Sequence, residues 1–202
     1  PFSLLAGKTS CHTGWLKSAG MLLPMGFLIG NGYANVIGDS GDVESLRDTI
    51  TNFFSDDASI PDSGTPYYSY SGAVKCLTEG VGDVAFAKDS TIASYCGNDD
   101  ASENEAWCLP ESDYILLPSY GNAPSHPVMY NPEFMASDTI TQVQNALVAM
   151  KDSTEGAAIL SDVLNTPAIS ATNALDHLGS YGNLIEDVPG ISSYYSTKFA
   201  IN

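Results

Sequence analysis

The chain predicts an α/β fold, on three observations. Apolar residues recur at helical spacing in two segments, Val43, Leu46, Ile50, Phe53 and Phe54 in the first and Ile140, Val143, Leu147 and Val148 in the second. Short apolar runs of strand length lie at 83–87, 114–117 and 128–130. Strands alternating with helices, with no internal repeat, are the pattern of an α/β architecture. At 202 residues the chain is one large domain or a pair of small ones, long enough to bury a core.

Each element follows from local chemistry. Residues 5–10 read as a short strand entering a turn at Thr13-Gly14, and 17–29 as a helix that carries Pro24. The apolar stretch from Ala19 to Ile29 is too short to span a bilayer, which needs about 20 apolar residues, so it reads as a buried helix. Asp42 is placed to cap the amphipathic helix 43–54. The segment 55–65 is rich in Asp, Ser, Gly and Pro and predicts a loop. A helix over 71–79 ends on Gly80, a strand follows at 83–87, and 97–105 is an acidic loop. From His126 the character shifts. A strand at 128–130 stops at Pro132, and helices are expected over 138–150, 156–164 and 181–187.

Charge excludes one class of partner. Twenty-four acidic residues face seven basic ones, a formal net charge of −17. Binding a phosphate backbone needs the opposite sign, so no nucleic acid is expected. Self-repulsion of this size keeps a protein soluble and suits a saline medium. Four cysteines, at 11, 76, 96 and 108, fit two disulfides in an oxidising compartment, with three connectivities open. The spacing of Cys96 and Cys108, without a nearby histidine, is not that of a zinc site. The chain opens on Pro1-Phe2 with neither methionine nor leader, which predicts a processed piece or part of something longer.

Two blocks carry the chemistry. One runs Tyr70-Ser71-Gly72-Ala73-Val74-Lys75-Cys76-Leu77 and on through Gly82-Asp83-Val84-Ala85-Phe86-Ala87. The other is Gly7-Lys8-Thr9-Ser10-Cys11-His12-Thr13-Gly14, continuing to Lys17-Ser18-Ala19-Gly20. Together, and in this order, they resemble the second subdomain of a transferrin lobe, and Ala123-Pro124-Ser125-His126 resembles the segment leading into its hinge. The likeness is good over about 1–131 and loose beyond. It implies a type II periplasmic-binding-protein-like half-lobe with a mixed sheet flanked by helices. Residues 1–126 would be the anion- and iron-binding subdomain, and 127–202 the hinge strand and return segment toward the other subdomain.

The resemblance also assigns roles. It makes Tyr70 and His126 ligands of ferric iron. A synergistic carbonate or bicarbonate would be held by the Thr13 hydroxyl, the backbone N–H groups of Ala19 and Gly20, and Lys17. The family's usual residue at Lys17 is arginine. A lysine keeps the charge but loses the planar fork. It further implies the pairs Cys11–Cys76, beside the anion loop, and Cys96–Cys108, closing the acidic loop. The chemistry of the residues agrees. A phenol ionises near pH 10, so it becomes a ligand when a hard Lewis acid displaces its proton, and a helix N-terminus favours the anion. Imidazole suits iron and releases it as pH falls. Without the surrounding blocks, Tyr70 would read as one aromatic in the cluster Tyr67, Tyr68 and Tyr70, and Lys17 as a solvated helix charge. His12 and His177 are weaker candidates; His12 lies in the anion block, but the family's chemistry there belongs to Thr13.

The family's remaining ligands, an aspartate and a second tyrosine, precede its Cys-His-Thr block, and this chain has ten residues before Cys11. The missing first half of the lobe is therefore an expected partner, and the chain alone is expected to bind iron weakly. The function implied is ferric iron transport by a secreted or surface protein, with a receptor or extracellular assembly as a further partner and no enzymatic activity. A different class, an iron-free structural module of such an assembly, would follow if Lys17 marks decay of the site. A hydrolytic trio of Ser71, Asp83 and His126 lacks the glycine pattern of a nucleophile elbow.

Overall fold

The structure, a computed structural model, describes residues 2–199. By backbone contacts the chain divides into two compact units, one made of 1–123 with 180–202 and the other of 124–179.

The first unit is built around a small parallel sheet. β1 (Ser10–Cys11) pairs with β2 (Val84–Ala85) in the register Ser10 to Val84 and Cys11 to Ala85, and Ser59 bridges the other side of Cys11. The sheet is therefore parallel rather than mixed among the described residues. A parallel pair needs a crossover, and the intervening chain supplies it with α1 (Leu23–Gly30), α2 (Ser45–Phe53) and α3 (Ser69–Thr78). α1 is preceded by a π-helical turn over Ser18–Leu22, so Pro24 falls in the first turn of regular helix, where its missing N–H costs nothing. α4 (Thr91–Cys96) follows β2.

The core lies between the sheet and these helices. Met21, Leu22, Met25, Leu28, Leu46 and Ile50 are fully or almost fully buried, joined by Phe53, Phe54 and Phe86. α2 shows why the sequence pattern was legible. Leu46, Ile50 and Phe53 share one face, and burying each side chain is worth about 1.5–3 kcal/mol. Its start differs from expectation. Asp42 does not cap α2; its carboxylate accepts from the Glu44 N–H at 3.0 Å, closing a turn before the helix begins at Ser45. The residues from 180 return to this unit, where Ile185, Val188 and Ile191 enter the core and α8 (Ile191–Phe199) closes the described chain. α8 was not expected, because Ser192-Ser193 and the aromatics after them have weak helical patterning.

The second unit consists of α5 (Ser137–Ala149), a short 3₁₀ turn, α6 (Thr154–Asp162) and the first half of α7 (Ala174–Ile185), which leads back into the first unit. Its buried side chain is Leu160.

Two expected strands are absent. Residues 114–117 and 128–130 are irregular, and Ile115, Leu116, Val128 and Met129 are 88%, 72%, 67% and 83% exposed. β-branched and aromatic composition makes a segment fit a pleated, half-buried surface, and neither run has such a surface here. The early strand is also shorter and later than 5–10, because Phe2–Leu5 forms a 3₁₀ turn first. Two disulfides fasten the first unit, Cys11 to Cys76 with Cα atoms 6.1 Å apart and Cys96 to Cys108 at 5.5 Å. No helix among the described residues is long and apolar enough to cross a membrane.

Candidate functional site

The turn after β1 is where the sequence candidates meet. Ser10 and Cys11 are held in the sheet, so His12 and Thr13 enter the interior as the strand ends. His12 is fully buried, stacked on Phe86 with centroids 5.2 Å apart and edge-on to Phe54. Its Nδ1 lies 2.7 Å from the Gly20 carbonyl oxygen, which can only accept, so Nδ1 carries the proton. Nε2 then accepts from the Ser10 hydroxyl at 3.0 Å. Burial pushes the imidazole down to about 4, against the smaller opposing pull of the Gly20 carbonyl. His12 is thus a neutral strut joining β1 to the start of the helix at 18–30.

Thr13 faces the same helix start. It is 2% exposed, and its Oγ1 is buried without a hydrogen-bond partner. Such orphans are rare in folded proteins and cost about 1–3 kcal/mol. The hydroxyl lies directly against Gly20, where any Cβ would collide with the Thr13 side chain. Glycine at 20 is therefore required by close approach. Ala19 and Gly20 are the second and third residues of the π-helical turn. The first N–H groups of a helix have no acceptor within it, and they sit at the positive end of its dipole. An unpaired buried hydroxyl beside unpaired helix amides is a donor set for an anion.

Lys17 precedes this helix end. Its carbonyl accepts from Met21 and Leu22 at 2.9 and 3.0 Å, fixing the backbone, while its ammonium lies 5.2 Å from the centroid of Tyr68. Tyr68 in turn rests on Gly14, whose φ of +132° and lack of Cβ admit the ring; a Cβ there would come within 2.7 Å of Tyr68 Cε2. The Lys17 ammonium holds the Tyr68 phenol below its ordinary range, by hydrogen bonding first and charge second. Tyr67 goes the other way. Its hydroxyl donates to Glu79 Oε2 at 2.9 Å, and the carboxylate raises it.

α3 is tied to this turn twice. The Cys11–Cys76 disulfide joins its middle to β1, and the Ser69 N–H donates to the Thr13 carbonyl at 3.0 Å. Tyr70 is the second residue of α3 and is 39% exposed, at the helix N-terminus beside the Thr13 turn. Leu16 and Ser69, two of the three non-glycine residues with positive φ among the described residues, sit in this region at 55° and 72°. Backbone strain of this kind costs about 1–3 kcal/mol per residue and gathers where geometry is over-determined.

The structure thus brings Thr13, Lys17, Ala19, Gly20 and the α3 end bearing Tyr70 together within the first unit. His126 belongs to the second unit, in an irregular exposed segment. His177, within α7, donates through Nε2 to the Ser125 carbonyl at 2.8 Å, fastening the backbone beside His126. Among the described residues no three His, Cys, Asp or Glu side chains converge as a metal cluster.

Four supporting contacts were not foreseen from the sequence. His12, already a weak ligand candidate, ties Ser10 to the Gly20 carbonyl. Tyr68 contacts Lys17. Tyr120 and Tyr181 reach the helix start from far along the chain, their hydroxyls donating to the Ala19 carbonyl at 3.5 Å and the Ser18 hydroxyl at 2.9 Å. Burial drives the Tyr120 phenol well above its usual range, so it stays a neutral donor. Sequence separations of 101 and 163 residues left no local signal for those two.

A small α/β unit whose first strand is locked by a disulfide to α3 and ends at a helix N-terminus is the class of structure these contacts define. The Transferrin family model matches residues 2–64 and 56–118, more than half of the chain. Human lactotransferrin is 35% identical over 123 residues, which cover 55% of this chain and 17% of that protein. Rabbit serotransferrin is 33% identical over 165 residues, covering 70% and 23%. Chicken ovotransferrin is 38% identical over 130 residues, covering 54% and 18%. The chain belongs to the transferrin family, and it spans about a sixth to a quarter of the length of these relatives.

Proposed function

We infer that this chain is the anion-holding part of a transferrin-like lobe that binds and carries ferric iron, outside the cell and without catalysing a reaction. Residues 1–126 would carry the groups that hold carbonate or bicarbonate, and 127–202 would contain the hinge and the return segment, whose residues from 180 pack into the core of the first unit. Thr13 Oγ1, the Ala19 and Gly20 amides and the Lys17 ammonium take the anion; Tyr70 and His126 donate to iron. The observation that supports this most directly is the buried, unpartnered Thr13 hydroxyl aimed at a helix N-terminus. An anion there would pair the orphan donor and compensate the helix dipole together. Fe³⁺ with one phenolate, one neutral imidazole and a carbonate dianion balances in charge, but two protein donors leave positions open to water. Tight binding then needs the first half of the lobe.

The test is iron loading in bicarbonate buffer, followed through the visible tyrosinate-to-iron band. The band is expected in the full-length protein, to vanish with Tyr70→Phe, and to weaken strongly with Thr13→Val and with His126→Ala. A band unaffected by Thr13→Val or Tyr70→Phe overturns the assignment. A second reading, an iron-free structural module of an extracellular assembly, draws on Lys17 standing where the family's arginine is expected. No iron taken up in bicarbonate by the full-length protein would favour it.

A further inference from the structure

Resting on the anion reading above and deepening it, we propose that Tyr68 is the positioning residue of the cradle: its ring holds the Lys17 ammonium at the Thr13 turn. A lysine has four rotatable side-chain bonds and a point charge, so without a platform its ammonium would sample much of the surrounding solvent. The structure supplies the platform. Tyr68 is half-buried, anchored by its N–H to the Thr65 carbonyl at 3.2 Å and seated on the bare Cα of Gly14, one residue after Thr13. Its face meets the Lys17 ammonium 5.2 Å from the ring centroid, within the range of a cation–π contact. The ion pairs among the described residues are Arg47 with Glu44 and Lys75 with Glu79; Lys17 is in neither, although the chain holds 24 acidic residues. An aromatic face attracts the cation without neutralising it, so Lys17 keeps its full charge for an anion. A carboxylate partner would cancel that charge.

The geometry has a second consequence. Tyr68, Ser69 and Tyr70 are consecutive, and the Ser69 N–H is bonded to the Thr13 carbonyl. The same short segment therefore sets the lysine at the anion and Tyr70 beside it, with Ser69 held at a φ of 72° between them. Lysine positioning and phenol positioning are one mechanical unit.

The experiment is a double-mutant cycle on the full-length protein, with bicarbonate as the probe and calorimetry as the readout, beside NMR of the Lys17 side chain. Tyr68→Leu removes the face and is expected to weaken bicarbonate about threefold, and Tyr68→Phe, which keeps the face, by less. In a Lys17→Met background both are expected to have no further effect, which general loosening of the loop would not reproduce. The ring is expected to shift the Lys17 side-chain protons upfield, and that shift to persist in Tyr68→Phe and vanish in Tyr68→Leu, whether or not an anion binds. Loss of the shift with unchanged bicarbonate affinity overturns the positioning role and leaves the anion reading standing. Additive effects of the Tyr68 and Lys17 variants overturn it as well. If Thr13→Val and Lys17→Met both leave bicarbonate binding unchanged, the anion reading fails and takes the proposal with it.

Discussion

Acidification should weaken this protein through His12 in particular, and the size of the effect follows from the structure. The imidazole is fully buried, neutral, and bonded through Nδ1 to the Gly20 carbonyl and through Nε2 to the Ser10 hydroxyl. Its pKa falls from 6.5 to about 4 on folding. A base whose folded pKa is depressed binds its proton more readily when unfolded. The stability it confers is whole above pH 6.5 and is lost as pH falls from 6.5 toward 4. At pH 5 the loss is about 2 kcal/mol, and below pH 4 it levels at about 3–4, at about 1.4 kcal/mol per pKa unit. Other charges push the opposite way. With a net charge of −17, adding protons relieves self-repulsion. The assay must therefore be differential. Urea unfolding is measured from pH 7.5 to 4.5 for the native chain and for His12→Asn, whose amide can still donate to Gly20. At pH 7 the variant should be less stable by about 2–4 kcal/mol, since it loses the stacked ring and leaves Ser10 unpaired. Between pH 7 and 5 it should close that gap by about 2 kcal/mol. Parallel pH profiles for the two proteins would refute the buried neutral strut.

Other expectations concern the same few contacts. Thr13→Val removes an unpartnered buried hydroxyl at nearly constant volume, so the anion-free protein should gain about 1 kcal/mol in urea unfolding while losing bicarbonate-dependent iron uptake. Gly20→Ala places a methyl into Thr13 and should cost about 1–3 kcal/mol, seen as a lower midpoint, with loss of the anion effect. Opening the Cys11–Cys76 bond by paired Ser substitution, across a separation of 65 residues, should cost about 4 kcal/mol. Opening Cys96–Cys108, across 12, should cost about 3 kcal/mol, and iron uptake should suffer from the first change more than the second.

How much of this was legible in the sequence depended on whether the signal was local. α2 announced itself because Leu46, Ile50 and Phe53 repeat at helical spacing over one buried face. α3 was legible from its block and from Gly80, which ends it at a φ of +73°. The runs at 114–117 and 128–130 misled for a physical reason. Strand propensity reports a fit to a pleated surface, and a run with the right composition but no neighbouring strand remains irregular and exposed. The disulfide pairing could not be fixed by counting cysteines. It came from the family likeness, and the structure contains both pairs.

The cradle was legible in its residue types and illegible in its supports. Thr13, Lys17, Ala19 and Gly20 lie within eight positions, so a contiguous block could reveal them. What holds them lies elsewhere: His12 inward to Gly20, Tyr120 and Tyr181 onto Ala19 and Ser18, Tyr68 against Lys17. Three of these four supports are tyrosines, and the reason is chemical. A phenol spans a long distance with two rotatable bonds, buries an apolar ring and ends in a donor that stays neutral when desolvated. Tyr120 and Tyr181 use that donor on the helix backbone and its flanking serine. A carboxylate or an ammonium in either place would add a full charge beside the helix N-terminus and compete with an anion or with Lys17. Supports of this kind add no carboxylate or ammonium to the helix end. In a chain carrying 24 acidic side chains, supports that bring no carboxylate of their own leave the proposed anion unopposed by what holds its site.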